Sequence, residues 1–484
     1  MADNQGYTPI AYGRIYRVKG KVFNLFVPKP IVKNSRPSDS IYRTYDVRGI
    51  YKKDLNEDTA EQIGKAFARY LGSGKKVVLG HDIRHGSESL SQSMRVALSS
   101  NGINVLDIGI VPTPVAFFSV MHYSLDGGVM VTASHNPKEW NGFKLYGAKG
   151  KKFGMGSGLE DIKNLVDNPV NSKAAEGTIT DFKERALRDY SDFVTVNSGI
   201  RSVATDSIRI GIDPGNGSYS VIGPETLKTA GINALAINCS YDPDFKGRGP
   251  EPKEGTLKGL SELVVENSLD FGVAFDADGD RAIFVDDKGN VIRGDVALAL
   301  FVKHLAKPSD KIIFEISCSK VVEDMISYVG ATPVPSRIGS RFILEAMEQE
   351  KARMGGEISS HIYFSEIYNA DDALFSTLRM SGIVASTGSK LSDLIAEMPH
   401  YELAALEIPA GEHEKYVLVE SAKKKAEEQG LKTIMIDGVK VISSKWRFVI
   451  RPSNTTPMIR LIAEGETKQD LNSALSRARS LLGK

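Results

Sequence analysis

The chain reads as a multi-domain α/β protein, and three observations predict this. Apolar runs of strand length alternate with longer stretches of helical periodicity. Several of these runs empty directly into polar or glycine-rich loops. At 484 residues the chain is too long for one ordinary core, which points to three or four domains. The clearest helix follows Leu55. Asn56 can cap it, Glu57 and Asp58 fill the first turn, and Ile63, Phe67 and Leu71 share one face before Gly72 stops it. A buried strand is predicted at 76–79. A similar arrangement then recurs. The runs VVLG (77–80), IRIGI (208–212) and KIIFEI (311–316) each lead into a polar or Gly-rich loop. Later in each unit a second apolar run ends in a polar loop, at 127–137, 271–280 and 353–361. Three loops, each behind a buried strand, can converge on one cleft, because ligands in α/β sheets bind at the carboxyl ends of strands. The block 405–484 carries its own polar loop, RPSNTTP, between WRFVI and MIRLIA, and reads as a smaller fourth domain.

Composition narrows the function classes. Apolar residues make up 41% and charged residues 25%, ordinary values for a globular protein. Lys plus Arg number 61 against 60 for Asp plus Glu, so no global basic field recruits nucleic acid or an anionic membrane. Any anionic ligand must be held by local groups of Arg and Lys. Cys239 and Cys318 are too few for a disulfide framework and fit a reducing, cytoplasmic setting, with one bridge left open. No apolar run approaches the ~20 residues of a membrane-spanning helix. Polar residues and glycine break up the first twenty positions, unlike a secretory signal. Residues 22–27, followed by Pro28 and Pro30, read as a strand or arm within an extension, 1–35, outside the catalytic part.

The strongest chemical signal is Asp276-Ala-Asp278-Gly-Asp280-Arg281. Three carboxylates at alternate positions after FGVAF can aim oxygens at one hard cation. An EF-hand would need Gly at the sixth position and Glu at the twelfth, where this chain has Arg281 and Asp287. Mg²⁺ fits better, since three monodentate carboxylates leave positions for water and a phosphate oxygen. The plain alternative is a solvated acidic turn. The second loop is Thr132-Ala-Ser134-His135-Asn136-Pro137, followed by Asn141-Gly142-Phe143-Lys144. Ser134 can be a nucleophile, with His135 and Lys144 as sources of positive charge or proton transfer. It lacks the G-x-S-x-G elbow of serine hydrolases. A serine paired with a metal loop suggests phosphoryl transfer.

Two further loops can hold a phosphosugar. Gly356-Glu357-Ile358-Ser359-Ser360-His361 suits vicinal hydroxyls, or is an ordinary polar turn. Arg451-Pro452-Ser453-Asn454-Thr455-Thr456-Pro457 offers a nest of donors for phosphate, or is a capped turn between strands. Tyr45 and Arg48, in Tyr42-Arg43-Thr44-Tyr45-Asp46-Val47-Arg48-Gly49, can reach a cleft floor. The Asp82–Arg84 pair is as easily structural as functional, and Asp213-Pro214-Gly215-Asn216-Gly217 reads as a tight turn positioning the second domain.

Taken together, Tyr-Asp-Val-Arg-Gly, Thr-Ala-Ser-His-Asn-Pro, Asp-Ala-Asp-Gly-Asp-Arg, Gly-Glu-Ile-Ser-Ser-His and Arg-Pro-Ser-Asn-Thr-Thr-Pro resemble, in order, the α-D-phosphohexomutase superfamily, in its phosphomannomutase/phosphoglucomutase branch. The resemblance covers roughly residues 40–480. It implies three related α/β domains with mixed sheets plus a smaller C-terminal α+β domain around a central cleft. The expected bounds are 36–190, 191–295, 296–404 and 405–484. It also implies roles. Ser134 carries a phosphate, and Asp276, Asp278 and Asp280 hold Mg²⁺ with a phosphoserine oxygen as a further ligand. Arg281 neutralises charge beside them. Lys144, Arg48 and His135 assist proton transfer. Glu357 and Ser359 bind sugar hydroxyls with His361 in support, and Arg451, Ser453, Asn454 and Thr455 grip the non-reacting phosphate. The implied reaction moves a phosphoryl group between the 1- and 6-hydroxyls of a hexose through a hexose 1,6-bisphosphate, which also serves as activator. The implied partner is a small sugar phosphate, bound by a monomer or homo-oligomer.

Two positions depart from the branch pattern. Many members carry His where this chain has Ser340, followed by Arg341, and many carry Lys where it has Ser317. Both positions face substrate in the family, so Arg341 is a substrate-binding candidate and the choice of sugar is open. Ile358 argues against the glucosamine branch, which usually carries Gln there. Mannose and glucose phosphates are the expected substrates. The alternatives are a glucosamine or other phosphosugar mutase, a magnesium-dependent sugar phosphatase, and a sugar-phosphate-binding homologue without turnover.

Overall fold

A computed structural model of the chain describes residues 36–170, 174–205, 208–453 and 456–483, and the backbone of 14–18 and 21–25. Residues 1–37 and 38–484 form two units. In the first, β1 (Arg14–Val18) pairs antiparallel with β2 (Lys21–Leu25), so the strand expected over 22–27 coincides with β2 as far as Leu25. Phe26 and Val27 lie outside the described residues.

The second unit opens with β3 (Val47–Ile50), α1 (Glu57–Leu71), β4 (Lys76–His81), α2 (Ser87–Ser100), β5 (Asn104–Ile110), α3 (Thr113–His122), β6 (Gly127–Val131) and β7 (Trp140–Gly147). Helix α4 (Leu159–Asp167), β8 (Ile179–Asp181) and α5 (Lys183–Asn197) follow, and the sheet order is β3-β7-β6-β4-β5-β8. Helix α1 has the predicted bounds for the predicted reasons. The Asn56 side chain accepts the Thr59 N–H in a capping box, and Gly72 ends the helix at φ 92°. Its inner face, Ile63 and Phe67, is fully buried. The apolar run of β4 is continuous because both faces of the strand are covered. Val77 and Leu79 pack with Phe67, Leu90 and Met94 of α1 and α2, while Val78 packs with Val115 and Phe118 of α3.

Next come β9 (Arg209–Asp213), α6 (Ile222–Thr229), β10 (Asn233–Ala236), α7 (Lys258–Glu266), β11 (Phe271–Phe275) and β12 (Ala282–Asp286), in the order β10-β9-β11-β12. The third set holds α8 (Gly294–Leu305), β13 (Lys311–Glu315), α9 (Lys320–Tyr328), β14 (Thr332–Ser336), α10 (Ser340–Glu350), β15 (Met354–Gly356), β16 (Ile362–Phe364), β17 (Ala370–Asp371), α11 (Ala373–Thr387) and α12 (Leu391–Ala396). Its order is β14-β13-β15-β16-β17. The three sheets share one motif, the physical content of the recurrence visible in the sequence. A central strand (β4, β9, β13) lies between two parallel neighbours, and the second neighbour (β6, β11, β15) turns back antiparallel into β7, β12 or β16.

The last sheet is antiparallel throughout: β18 (Glu402–Pro409), β19 (Thr433–Ile434), β20 (Val439–Ile442), β21 (Trp446–Pro452) and β22 (Met458–Gly465), in the order β18-β22-β21-β20-β19. Helices α13 (Glu414–Glu428) and α14 (Lys468–Leu482) complete it. β18 begins at Glu402, ahead of the expected 405, because its register with β22 starts at the Glu402–Gly465 pair. One apolar cluster runs through the first three domains, from Val78 through Phe118, Tyr219, Phe275 and Phe301 to Phe375. The last domain has its own core around Phe448, Leu461 and Leu481. Ionic and polar contacts join it to the third domain. Glu323 pairs with Lys440 at 3.2 Å and Arg447 at 2.8 Å, and Glu464 accepts the Lys320 N–H at 3.0 Å.

Phe67 of α1 is fully buried against β4 and the Phe153 ring. Phe67→Ala should destabilise the protein by roughly 3–5 kcal/mol, read as a lower urea midpoint; an unchanged midpoint would contradict this packing.

Candidate functional site

The shared sheet motif places the chemistry. Each polar loop connects the second parallel neighbour to its antiparallel return: 132–139 between β6 and β7, 276–281 between β11 and β12, and 357–361 between β15 and β16. The fourth loop joins β21 to β22.

Ser134 is buried and sits at φ 52°, a left-handed conformation that a non-glycine residue holds only under constraint. The constraint comes from Asp82 and Arg84, both fully buried at the end of β4. Thr132 Oγ1 donates to Asp82 at 2.7 Å and accepts the Ser134 N–H at 2.9 Å. The Arg84 guanidinium pairs with Asp82 at 3.1 Å and donates to the carbonyls of Ser134, Asn136 and Pro137. The Asp82–Arg84 pair is therefore the scaffold of the serine loop. Arg48, paired with Asp46 at 2.8 Å, donates to the Ala133 carbonyl and to Asn136 Oδ1.

The serine loop meets the metal loop directly. Ser134 Oγ lies 3.2 Å from Asp276 Oδ2 and 3.3 Å from His135 Nδ1. Asp276, Asp278 and Asp280 are all buried and offer ligand atoms within 4.8 Å of one another. Lys144 Nζ stands 2.7 Å from both Asp278 and Asp280. Thr113, at the start of α3, donates its hydroxyl to Asp278 Oδ2 at 2.5 Å and its N–H to the Asp278 carbonyl. Gly279, at φ 82°, passes so close to the Tyr219 ring that a Cβ would stand 2.4 Å from it.

Electrostatics shows that the acids fit a cation. Burial, then the Asp280 and Asp278 charges, push Asp276 well above the carboxylate range. Burial also pushes Asp280 up, but the charges of Lys144 and Arg281 outweigh it and hold it low. Lys144 is lowered by burial yet raised further by Asp278 and Asp280, so it stays charged. The Arg281 charge, burial and Arg48 keep His135 well below the imidazole range and therefore neutral. Asp278 Oδ1 and Asp280 Oδ1 are buried without a hydrogen-bond partner. Buried carboxylate oxygens left in this state are the donor set a hard divalent ion takes. A second grouping, Asp280, His361 and Asp371, also lies within 4.8 Å. There Arg281 Nε donates to His361 Nε2 at 2.9 Å, which leaves the imidazole proton on Nδ1, facing Asp371 at 2.9 Å. His361 thus bridges the metal loop and the third domain.

Glu357 is buried, accepting the Gly339 N–H at 2.7 Å and the Tyr363 hydroxyl at 3.1 Å, while Ser359 is exposed. Tyr45 donates to the Ile338 carbonyl at 3.0 Å, joining the first and third domains. Arg451 is buried, with Nε free of hydrogen bonds; burial pulls its guanidinium down, against the charges of Glu315 and Asp437. Ser453 Oγ accepts the Thr456 N–H at 3.2 Å, and buried Lys415 donates to the carbonyls of Ser453 and Thr456. Asn454 and Thr455 lie outside the described residues. Arg341, expected at the substrate, has its guanidinium on the Met155 and Gly156 carbonyls and on Glu345.

Sequence reasoning missed Thr113, Lys415, Glu315 and Asp371. Each meets a partner from a distant stretch of chain, as Thr113 meets Asp278 across 165 positions and Asp371 meets Lys152 across 219, so no local pattern announces them. Cys239 and Cys318 are both free thiols.

Residues 39–170, 188–289, 293–401 and 414–479 match, in this order, the phosphoglucomutase/phosphomannomutase α/β/α domains I, II and III and the C-terminal domain. The chain belongs to the phosphoglucomutase/phosphomannomutase family. A phosphoglucomutase/phosphomannomutase of Thermococcus kodakarensis is 30% identical over 450 residues, covering 91% of this chain and 98% of its own. A probable phosphoglucosamine mutase of Methanosphaera stadtmanae is 30% identical over 449 residues, covering 90% and 96%. The crystal structure of a phosphoglucomutase/phosphomannomutase family protein from Burkholderia thailandensis superposes with a TM-score of 0.82 at 25% identity, covering 92% of this chain and 98% of that one. The α/β architecture of this family and the α-D-phosphohexomutase resemblance drawn from the loops therefore agree.

Glu315, at the end of β13, is buried and accepts the Ile358 N–H at 3.3 Å. Burial, then the Glu357 charge, pushes it up to about 8 from 4.5, against the pull of Arg451. A carboxyl raised on folding stabilises fully below its unfolded value of 4.5, and that contribution is lost as pH rises through about 8. Urea unfolding from about pH 5 to about 9 should therefore show wild type losing stability that Glu315→Gln keeps; equal slopes would overturn the assignment.

Proposed function

We propose that this protein is a phosphohexomutase acting on mannose or glucose phosphates, with Ser134 as the carrier of the migrating phosphoryl group and Asp276, Asp278 and Asp280 as ligands of Mg²⁺. The observation that carries the reading is the 3.2 Å approach of the strained, buried Ser134 Oγ to Asp276, beside carboxylate oxygens that lack any other partner. When bound, the ion offsets charge on the phosphoryl group and orients it. The chain's own groups do the rest. Arg48 and the Asp82–Arg84 scaffold fix the serine loop, and Lys144 and Arg281 neutralise charge around it. The proton of the reacting hydroxyl is assigned a path to the departing Ser134 Oγ by way of His135, neutral and 3.3 Å from that oxygen, while charged Lys144 steadies the negative charge that develops there. Glu357 and Ser359, with His361 in support, are assigned the sugar hydroxyls, and the loop from Arg451 the phosphate that is not reacting.

In the forward half, the free hydroxyl oxygen of the hexose monophosphate bonds to phosphorus and the phosphorus–Ser134 Oγ bond breaks, giving a hexose 1,6-bisphosphate. After reorientation, Ser134 Oγ attacks the other phosphate, and the monophosphate isomer leaves. One phosphate loop serves both orientations, since each presents one non-reacting phosphate. Its domain has a separate core and meets the third domain through ion pairs, an interface that can reform after rotation. The bisphosphate is the expected activator, and a cytoplasmic setting agrees with the two free thiols. No helix among the described residues is long and apolar enough to cross a membrane. The similarity to a probable phosphoglucosamine mutase keeps amino-sugar phosphates as the second substrate reading. Comparative turnover of mannose, glucose and glucosamine phosphates separates the two.

Ser134→Ala should lower mutase turnover by several orders of magnitude and abolish the singly phosphorylated species in intact mass spectra. Near-normal turnover would remove Ser134 as carrier. Asp278→Asn should weaken turnover and raise the Mg²⁺ concentration needed for half activity; a variant unchanged in both would count against the metal assignment.

A further inference from the structure

Strand β7, which carries Lys144, runs on into the glycine-rich segment 147–158, GAKGKKFGMGSG. Its base is fixed within the first domain. The Phe153 N–H donates to the Leu145 carbonyl at 3.1 Å, the Gly147 N–H to the Lys151 carbonyl at 2.8 Å, and the buried Phe153 ring packs edge-on against Phe67 and Tyr70. Gly154 passes the Thr44 carbonyl so closely that a Cβ would lie 2.2 Å from it, and the Met155 N–H donates to the Arg43 carbonyl. Backbone approach therefore ties the segment to the loop that carries Tyr45.

The far side of the segment clasps the third domain. Lys152 Nζ lies 3.2 Å from Asp371 Oδ1 and 3.4 Å from Ser340 Oγ. The carbonyls of Met155 and Gly156 accept from Arg341 at 3.2 and 2.8 Å. Lys152, Asp371 and Arg341 are largely buried in these contacts. Asp371 in turn faces His361 Nδ1, whose Nε2 accepts from Arg281 beside Asp276. An unbroken series of contacts runs from Lys152 of the first domain, through the third, to the metal loop of the second.

We propose that segment 147–158 is an interdomain latch, with Lys152 as a positioning residue, that holds the first and third domains closed on the hexose 1,6-bisphosphate while it turns over. The proposal rests on the mutase reading above. Ser340, one of the positions where this chain departs from its branch, and Arg341 beside it are then the catch of the latch rather than groups on the sugar. Lys152 brings a cation to Asp371, and Asp371 holds the His361 imidazole against Arg281.

The test uses full-length protein phosphorylated on Ser134 and mixed with glucose 1-phosphate or mannose 1-phosphate in a single turnover, with bisphosphate free in solution separated by rapid filtration. Wild type should retain the bisphosphate. Lys152→Met combined with Arg341→Ala should release on the order of tenfold more of it. Its steady-state kcat should fall without a matching rise in monophosphate KM, and added hexose 1,6-bisphosphate should recover most of it. Lys152→Arg should retain the bisphosphate as wild type does. Arg341→Gln alone, on a partly exposed side chain, should shift release in the same direction and keeps the test available if the double variant does not fold. Variants that retain the bisphosphate as wild type does would overturn the latch. A phosphorylated wild type that hands no phosphate to either sugar would instead overturn the mutase reading, and the latch with it.

Discussion

The structure depends on one electrostatic constraint: three carboxylates are buried together at the point where the first domain meets the second. Asp276, Asp278 and Asp280 are crowded together in a buried site, where Lys144 holds Asp278 and Asp280 low against burial, while burial and those two neighbours push Asp276 up. Asp278 Oδ1 and Asp280 Oδ1 are left with no hydrogen bond, a state that favours a divalent cation. Ser134 is pressed against the same charges by its strained backbone. A phosphoryl group on that oxygen would enter a region already arranged for an anion held by a metal and flanked by cations.

That arrangement is assembled by repetition. A single sheet motif occurs three times, and in each copy the loop after the second parallel neighbour reaches the site. Similar short loops thus present different chemistry, a hydroxyl, three carboxylates, or a carboxylate with an imidazole, without any change to the framework behind them. The apolar cluster that runs through all three domains holds the copies in one relative position. Packed apolar surface is intolerant of sliding, which suits groups that must meet within hydrogen-bonding distance.

The last domain is joined differently. Its core is separate, and its contacts to the third domain are ion pairs centred on Glu323 and Glu464. These pairs are largely buried, so they set the register of the last domain through matched charge rather than through packed apolar surface. The division follows: the first three domains share one apolar cluster behind their loops, and the fourth carries the Arg451 loop on a core of its own.

The sequence by itself determined the α/β class, the bounds of α1, the strands behind each loop, and the metal-type spacing of Asp276, Asp278 and Asp280. These are local matters of capping, periodicity and alternation, written within a few residues of where they act. Five motifs in family order also carried the resemblance, because each loop keeps its chemistry within a short span. Only the tertiary structure decided that Asp82 and Arg84 brace the serine loop, that Thr113 and Lys144 sit on the metal acids, and that Arg341 reaches the Met155 and Gly156 carbonyls. It also moved β18 ahead of the expected boundary, because that start is set by its register with β22. These contacts join residues far apart in the chain, and a side chain's partner at that range is fixed by how domains pack, for which no short stretch of sequence holds the information.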